Sequence, residues 1–191
     1  LPLPRGGGAG LRKRLCGKQI NLPTQHFKES KIMIKHSLKI GLSFGLNSGI
    51  ITTLGLIVGL DSGTHSKPVV IGGILTLAVA DAFSDALGIH ISEESEDKHT
   101  ENEIWESTIF TFLAKLIFTL IFIIPVLLFS LEKAITVSVA WGLAVLALFS
   151  FLMAKEQKTN PYKVVAEHLF IALIVIAITH YVGDWVRIKY G

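Results

Sequence analysis

The chain has 191 residues, of which half are hydrophobic and only 17% are charged, and its mean hydropathy is +0.55. This composition argues against a soluble domain, because soluble domains carry about 25% charged residues. It also argues against a nucleic-acid-binding protein despite the pI near 9.0, since the basic residues are concentrated beside a hydrophobic block. We therefore expect an integral membrane protein whose partner is the lipid bilayer, with no nucleic acid.

The apolar residues fall into five blocks of about 20 residues, the length that crosses roughly 30 Å of hydrocarbon at 1.5 Å per residue. The expected transmembrane helices are about 40–60, 69–92, 107–130, 135–154 and 164–186. Asp61-Ser62-Gly63 is a turn signal after the first span, and Pro125 predicts a kink in the third. The segment Leu131–Ala134 is short enough to connect the third and fourth spans as a tight hairpin. The sequence predicts an all-α, multi-pass membrane fold over residues 40–188.

Residues 1–39 form a basic tail before the first span. Residues 1–40 contain nine Lys or Arg and one acid, Glu29. The end of the tail is either a short interfacial helix, since Phe27, Lys31, Ile34 and Leu38 recur at helical spacing, or an extension of the first span. With the amino terminus in the cytoplasm, thirteen of the eighteen basic residues lie on that side, so we expect this orientation. The charge pattern does not identify which membrane holds the protein.

The first span carries glycines at intervals of four residues: Gly41, Gly45 and Gly49, then Gly55 and Gly59. Small residues at this spacing allow two helix backbones to approach closely in lipid. The stripe serves either tight packing within one chain or a seam between two chains. Because five helices leave little room for an enclosed polar pathway, we expect a homodimer through the glycine-rich first span.

Two carboxylates lie in the middle of the second span. Asp81 and Asp85 are four residues apart, so they project from one face of the helix. A carboxylate at membrane depth requires a cation, a proton or a paired base, and is functional by default. The alternative is that both are protonated and hydrogen-bond neighbouring helices as structural contacts. Lys115 in the third span either forms a salt bridge with one of them or extends to the interface.

The segment between the second and third spans, residues 93–106, is predicted to be an acidic cytoplasmic loop. It contains His99, and His90 lies just before it. If it is helical, Glu93 and Glu96 share a side with His99 or Glu103, and His99, Glu103 and Glu106 share another. Such oxygen-rich sets suit Mn²⁺, Fe²⁺ or Ca²⁺. The alternative is a solvated acidic surface. Because this segment follows the helix that carries the buried pair, we expect it to collect cations at a pore mouth.

Other polar residues of the spans complete the candidate site. Asn47 and Ser48 supply neutral oxygen donors in the first span, and Glu167 in the fifth is a candidate proton relay or gate. The spans contain no His-Glu-x-x-His motif and no paired nucleophile and base, so we do not expect an enzyme. The single cysteine, Cys16, excludes an intrachain disulfide framework.

Two stretches of the chain carry a family resemblance. Residues 45–53 read GLNSGIITT, and residues 84–92 read SDALGIHIS. They resemble the Gly-x-Asn-Asp-Gly and Ser-Met-x-x-Gly-Glu-Tyr-x-Ser motifs of the vacuolar iron transporter family, and Pro125, Glu167, Tyr181 and Gly183 also fit. The resemblance covers residues 40–188. It implies a five-span, dimeric exchanger of divalent cations and protons, with a transported cation and no permanently bound cofactor.

This sequence departs from the family at three ligand positions. The first-span acid falls on Ser48, the second-span methionine on Asp85 and the second-span glutamate on Ile89. A carboxylate lost from span one is thus compensated by Asp85, and loss of the thioether favours harder cations than Fe²⁺, such as Mn²⁺, Mg²⁺ or Ca²⁺. We expect a transporter of divalent metal cations of the iron or manganese class, by proton-coupled exchange. The alternatives are a non-transporting scaffold that kept the fold, or a proton-coupled carrier of a small organic substrate.

Overall fold

The computed structural model describes residues 23–96 and 98–191, with side chains from residue 38 onward. Within this part the chain is helical and contains no strand. The helices are α1 (Pro23–Thr64), α2 (Lys67–Ser95), α3 (Glu101–Ile121), α4 (Ile123–Leu128), α5 (Leu131–Glu156) and α6 (Pro161–Tyr190). The tail before residue 23 lies outside the described residues.

Among the described residues, five segments are long and apolar enough to cross a membrane, which confirms the predicted five-span fold class. They are Leu38–Thr64, Lys67–Ser95, Glu101–Leu128, Leu131–Glu156 and Pro161–Tyr190. The backbone of α1 is continuous from Pro23, so residues 23–37 extend the first span. Of the side chains that suggested an interfacial helix, those of Phe27, Lys31 and Ile34 lie outside the described residues.

Helix boundaries follow local chemistry. Pro125 has no N–H to donate and its ring clashes with the carbonyl four residues earlier, and α3 ends at that residue, Ile121. The third span is therefore broken between α3 and α4. The next connection is tighter than the sequence indicates, because Leu131–Ala134 forms the first turn of α5. Asn160 caps α6, accepting hydrogen bonds at Oδ1 from the N–H groups of Tyr162 and Lys163.

The first span is the central helix of the bundle. In the 18-residue apolar stretch of the first span half of the residues are buried, against 11% in the corresponding stretch of α6. The other spans therefore pack around the first span. Its buried residues Leu46, Ile50, Leu54 and Ile57 form the core with residues of α2, α4 and α5, namely Val70, Ile74, Val126 and Leu146. This arrangement places one face of α1 against α2 and α3 and the other against α5 and α6.

The glycines of the first span pack within the chain. A Cβ added to Gly45 would lie 2.8 Å from the Cβ of Ala114 in α3, and Gly41 approaches α3 as closely. Gly55 and Gly59 face Val175 and Thr179 in α6. Of the two interpretations of the stripe, these contacts correspond to packing within one chain. Gly55 and Gly59 also line an open apolar groove of about 330 Å³ between α1 and α6, and the dimer seam through the first span stays a prediction.

Candidate metal-ion site

The two carboxylates of α2 lie one helical turn apart and converge on a single group. The Nζ atom of Lys115 lies 2.6 Å from Asp81 Oδ2 and 2.7 Å from Asp85 Oδ2. Lys115 is fully buried, whereas the side chains of Asp81 and Asp85 are 23% and 18% exposed. Lys115 therefore pairs with both acids and does not extend to the interface.

Ser48 joins this group from α1. Its hydroxyl donates to Asp85 Oδ2 at 2.7 Å and accepts a hydrogen bond from Lys115 Nζ at 2.6 Å. Two of the three N–H donors of the ammonium are thus used by Ser48 and Asp85. Asp81 Oδ2 is buried, contacts the ammonium as an ion pair and accepts no hydrogen bond. We call Ser48, Asp81, Asp85 and Lys115 the ion-pair cluster. It draws one residue from α1, two from α2 and one from α3.

The charged groups of the ion-pair cluster are two carboxyl groups and one amine. When all three are ionised, one negative charge is left over within an apolar bundle. Burial of such groups is expensive and is tolerated where charges are paired and hydrogen-bonded. Here both acids are paired with Lys115, but only Asp85 is also hydrogen-bonded. The oxygen atoms form a hard donor set of the kind that binds Mn²⁺, Mg²⁺ or Ca²⁺. Chemically, the cluster can hold a cation or exchange one for another.

A cleft of about 560 Å³ adjoins this cluster at Ser48, which lines its wall. It lies among α1, α2, α5 and α6, along the amino-terminal half of the first span, Leu38–Thr64. Asn47 lines it as well, and its Oδ1 atom is buried without a hydrogen-bond partner. Asn47 is therefore placed beside the cleft, and Ser48 is common to the cleft and the ion-pair cluster.

Two side chains of this cleft were not among the predicted site residues. Met153 of α5 lies there with its sulfur 3.2 Å from the hydroxyl of Ser43. His168 of α6 is held by a hydrogen bond of 2.7 Å between Nδ1 and the buried Ser150 hydroxyl. No motif marks either residue, because they converge through the packing of α5 and α6 on α1.

The acidic segment is not one helix, so the predicted donor sets do not share a helical face. α2 ends at Ser95 and α3 begins at Glu101. Glu93 lies 3.6 Å from His99, and Glu103 forms a capping box with Thr100 that begins α3. Glu96 pairs with Lys98 at 3.5 Å.

Glu106 has one buried carboxylate oxygen without a hydrogen-bond partner. Among the described residues, no group of three or more His, Cys, Asp or Glu side chains is arranged to hold a metal ion. The predicted collecting residues are therefore dispersed between the end of α2 and the start of α3.

Glu167 lies apart from the groups just described. Its side chain is 57% exposed, and its carboxylate is 3.8 Å from the ammonium of Lys163, one turn earlier in α6. This is the geometry of an exposed surface pair, which contributes little to stability.

Comparison with known proteins supports the resemblance found in the sequence. The model of the VIT family, the vacuolar iron transporters, matches residues 42–106, about one third of the chain. No curated protein matches the chain. The matched stretch includes Asn47, Ser48, Asp81 and Asp85. Together with the five apolar helices, the match supports the assignment of this integral, multi-pass membrane protein to the VIT family, a family of membrane metal-ion transporters.

Proposed function

We propose that this protein carries divalent metal cations of the iron or manganese class across its membrane, and that Asp85, Asp81, Ser48 and Asn47 bind the cation. The observation that carries the proposal is the convergence of Asp81, Asp85 and Ser48 on one point inside an apolar bundle. A polar site at this depth serves an ion or proton pathway by default. Transport is favoured over catalysis because the family transports metal ions.

The cleft along α1 is the proposed access route. Ser48 lines its wall, and the hydroxyl of Ser48 donates a hydrogen bond to Asp85. With the amino terminus in the cytoplasm, the cleft opens on that side, where Glu93, Glu96, His99, Glu103 and Glu106 concentrate cations by their summed charge without forming one tight site. Exchange with protons follows from the chemistry of the carboxylates, which a proton can neutralise when the metal leaves.

The first experiment is cation-dependent thermal stability of the purified protein. Each of Fe²⁺, Mn²⁺, Mg²⁺ and Ca²⁺ is added separately, with an ionic-strength control. Binding at 100 times Kd stabilises the folded state by about 2.7 kcal/mol, so we expect a rise in Tm of about 5 °C or more. The rise in Tm should disappear in Asp85→Asn. It should persist in Asp184→Asn, because Asp184 lies in α6 and pairs with Arg187. If no cation stabilises the protein, the proposal is wrong.

One observation favours a second function. Lys115 already supplies each carboxylate with a cationic partner, so both acids are paired without a metal. A protein that kept the fold as a non-transporting scaffold would show this arrangement. Such a scaffold would show no cation-dependent stability and no uptake in vesicles, which separates it from the transporter.

We also propose a homodimer through α2. Asp81 and Asp85 remain partly exposed in one chain, and carboxylates facing hydrocarbon are expensive. Gly88 is exposed on the same side of α2, seven residues or about two turns after Asp81. A second copy packed against this face would cover both carboxylates.

Cysteine cross-linking tests this interface. In a Cys16→Ser background, we expect Gly88→Cys to yield a covalent dimer with a bismaleimide in membranes. Gly72→Cys is the matched control because both glycines have open space at the Cβ position, whereas Gly72 lies on the opposite face of α2 from Asp81. Equal cross-linking at both positions, or at neither, would contradict the proposed face.

A further inference from the structure

Lys115 occupies the position that a cation would take in the ion-pair cluster. Its Nζ atom lies 2.6 to 2.7 Å from Asp81 Oδ2, Asp85 Oδ2 and Ser48 Oγ. Calcium binds oxygen ligands at about 2.3–2.6 Å and smaller divalent cations bind them closer. The same three oxygens therefore surround one point. Either the ammonium or a metal ion occupies that point, because two cations bound to the same oxygens would repel each other.

We propose that Lys115 is a tethered cation that competes with the transported metal for Asp81 and Asp85, so that metal enters only by displacing the ammonium. The inference rests on the proposed transport function and adds to it the residue that determines which cations bind. Displacement does not require α3 to move, since four rotatable methylenes connect the ammonium to the backbone.

The competition has two consequences for transport. When no metal is bound, Lys115 compensates one of the two carboxylate charges, so the empty site does not present two bare acids to the apolar bundle. It also selects for charge. A monovalent ion offers the carboxylates no more charge than the ammonium does, and the ammonium is held at high effective concentration by its tether. Only a divalent ion gains enough attraction to replace it.

The test compares Mn²⁺ binding to purified wild type and Lys115→Met, measured from the electron paramagnetic resonance signal of free Mn²⁺. Methionine keeps the length and apolar stem of lysine and removes the charge. We expect Lys115→Met to bind Mn²⁺ at least tenfold more tightly than wild type does. We also expect Na⁺ to compete with Mn²⁺ for binding to Lys115→Met and not for binding to wild type. In the double variant that also carries Asp85→Asn, the gain in Mn²⁺ affinity should be lost, which would assign the gain to the ion-pair cluster.

The outcomes separate this inference from the proposed function. If wild type and Lys115→Met bind Mn²⁺ equally well and binding depends on Asp85, the transport site stands and the competition is wrong. If Lys115→Met binds more weakly than wild type, lysine supports the metal site and the inference is also overturned. If neither protein binds any cation, the proposed function fails, and the inference with it.

A second measurement uses the wild type and does not depend on the variant folding. Reductive methylation of lysines, read by mass spectrometry, should spare the fully buried Lys115 in the absence of metal. Saturating Mn²⁺ should raise its methylation several-fold by displacing the ammonium, whereas methylation of Lys163, which is 75% exposed, should not change. If Mn²⁺ binds at Asp85 and Lys115 stays as protected from methylation as it is without metal, the inference is overturned.

Discussion

Replacement of Asp85 by Asn should reduce divalent-cation uptake into reconstituted vesicles by about 100-fold or more. Asp85 accepts hydrogen bonds from both Ser48 and Lys115, and the amide removes the negative charge on which a metal depends. Removing one partner of a buried charge pair costs about 2–5 kcal/mol of binding free energy, and each 1.4 kcal/mol is about a factor of ten in affinity. The measurement is initial uptake of Mn²⁺ into vesicles of matched protein content.

The fold should survive this change. Lys115 keeps its contact of 2.6 Å with Asp81, so the variant does not leave a buried ammonium without a carboxylate partner. Asp184→Asn makes the same chemical change in α6, outside the ion-pair cluster, and should retain uptake. Transport by Asp85→Asn at the wild-type rate would show that Asp85 is not a ligand, and loss of uptake in both variants would indicate a general effect of removing an acid.

Replacement of Gly45 by Ala should destabilise the helix bundle and weaken transport together. An added Cβ would lie 2.8 Å from both the Cβ of Ala114 and the carbonyl oxygen of Thr111, and 3.0 Å from the backbone nitrogen of Lys115. Because two of these contacts are to backbone, α3 must move away from α1 and takes Lys115 with it. Overpacking of this kind costs about 1–3 kcal/mol, which unfolding in detergent would measure.

Gly72→Ala is the matched control for Gly45→Ala. No atom lies within 4 Å of a Cβ added at Gly72, so the substitution contributes only its helix propensity, up to about 1 kcal/mol in favour of Ala. We expect unchanged uptake and equal or higher stability. A Gly45→Ala variant as stable as Gly72→Ala would mean that α1 and α3 do not approach each other as closely as described.

The five spans were predictable from sequence because hydropathy is a local property. Each span is a contiguous apolar segment, and the length needed to cross hydrocarbon does not depend on what the helix contacts. Some helix ends differ from the predicted ones for local reasons. For example, α3 ends at Ile121 because the ring of Pro125 clashes with the carbonyl four residues before it. The shared face of Asp81 and Asp85 was equally predictable, since it follows from helical periodicity alone.

The partners of those carboxylates depended on tertiary structure. The sequence left Lys115 either paired or extended to the interface, and 30 residues separate it from Asp85. The glycine stripe was similarly ambiguous, because its spacing permits close packing without specifying the helix that it meets, and α3 and α6 of the same chain meet it here. The cleft with Met153 and His168 has no sequence signal, since its walls come from four helices.

The sequence by itself therefore determined the membrane class, the number of spans and which acids share a helical face, because each follows from composition or periodicity within one segment. The tertiary structure decided that the acids hold a lysine, that the glycines pack within the chain and that a cleft reaches Ser48. These features depend on how helices distant in sequence pack around α1, which local patterns do not encode.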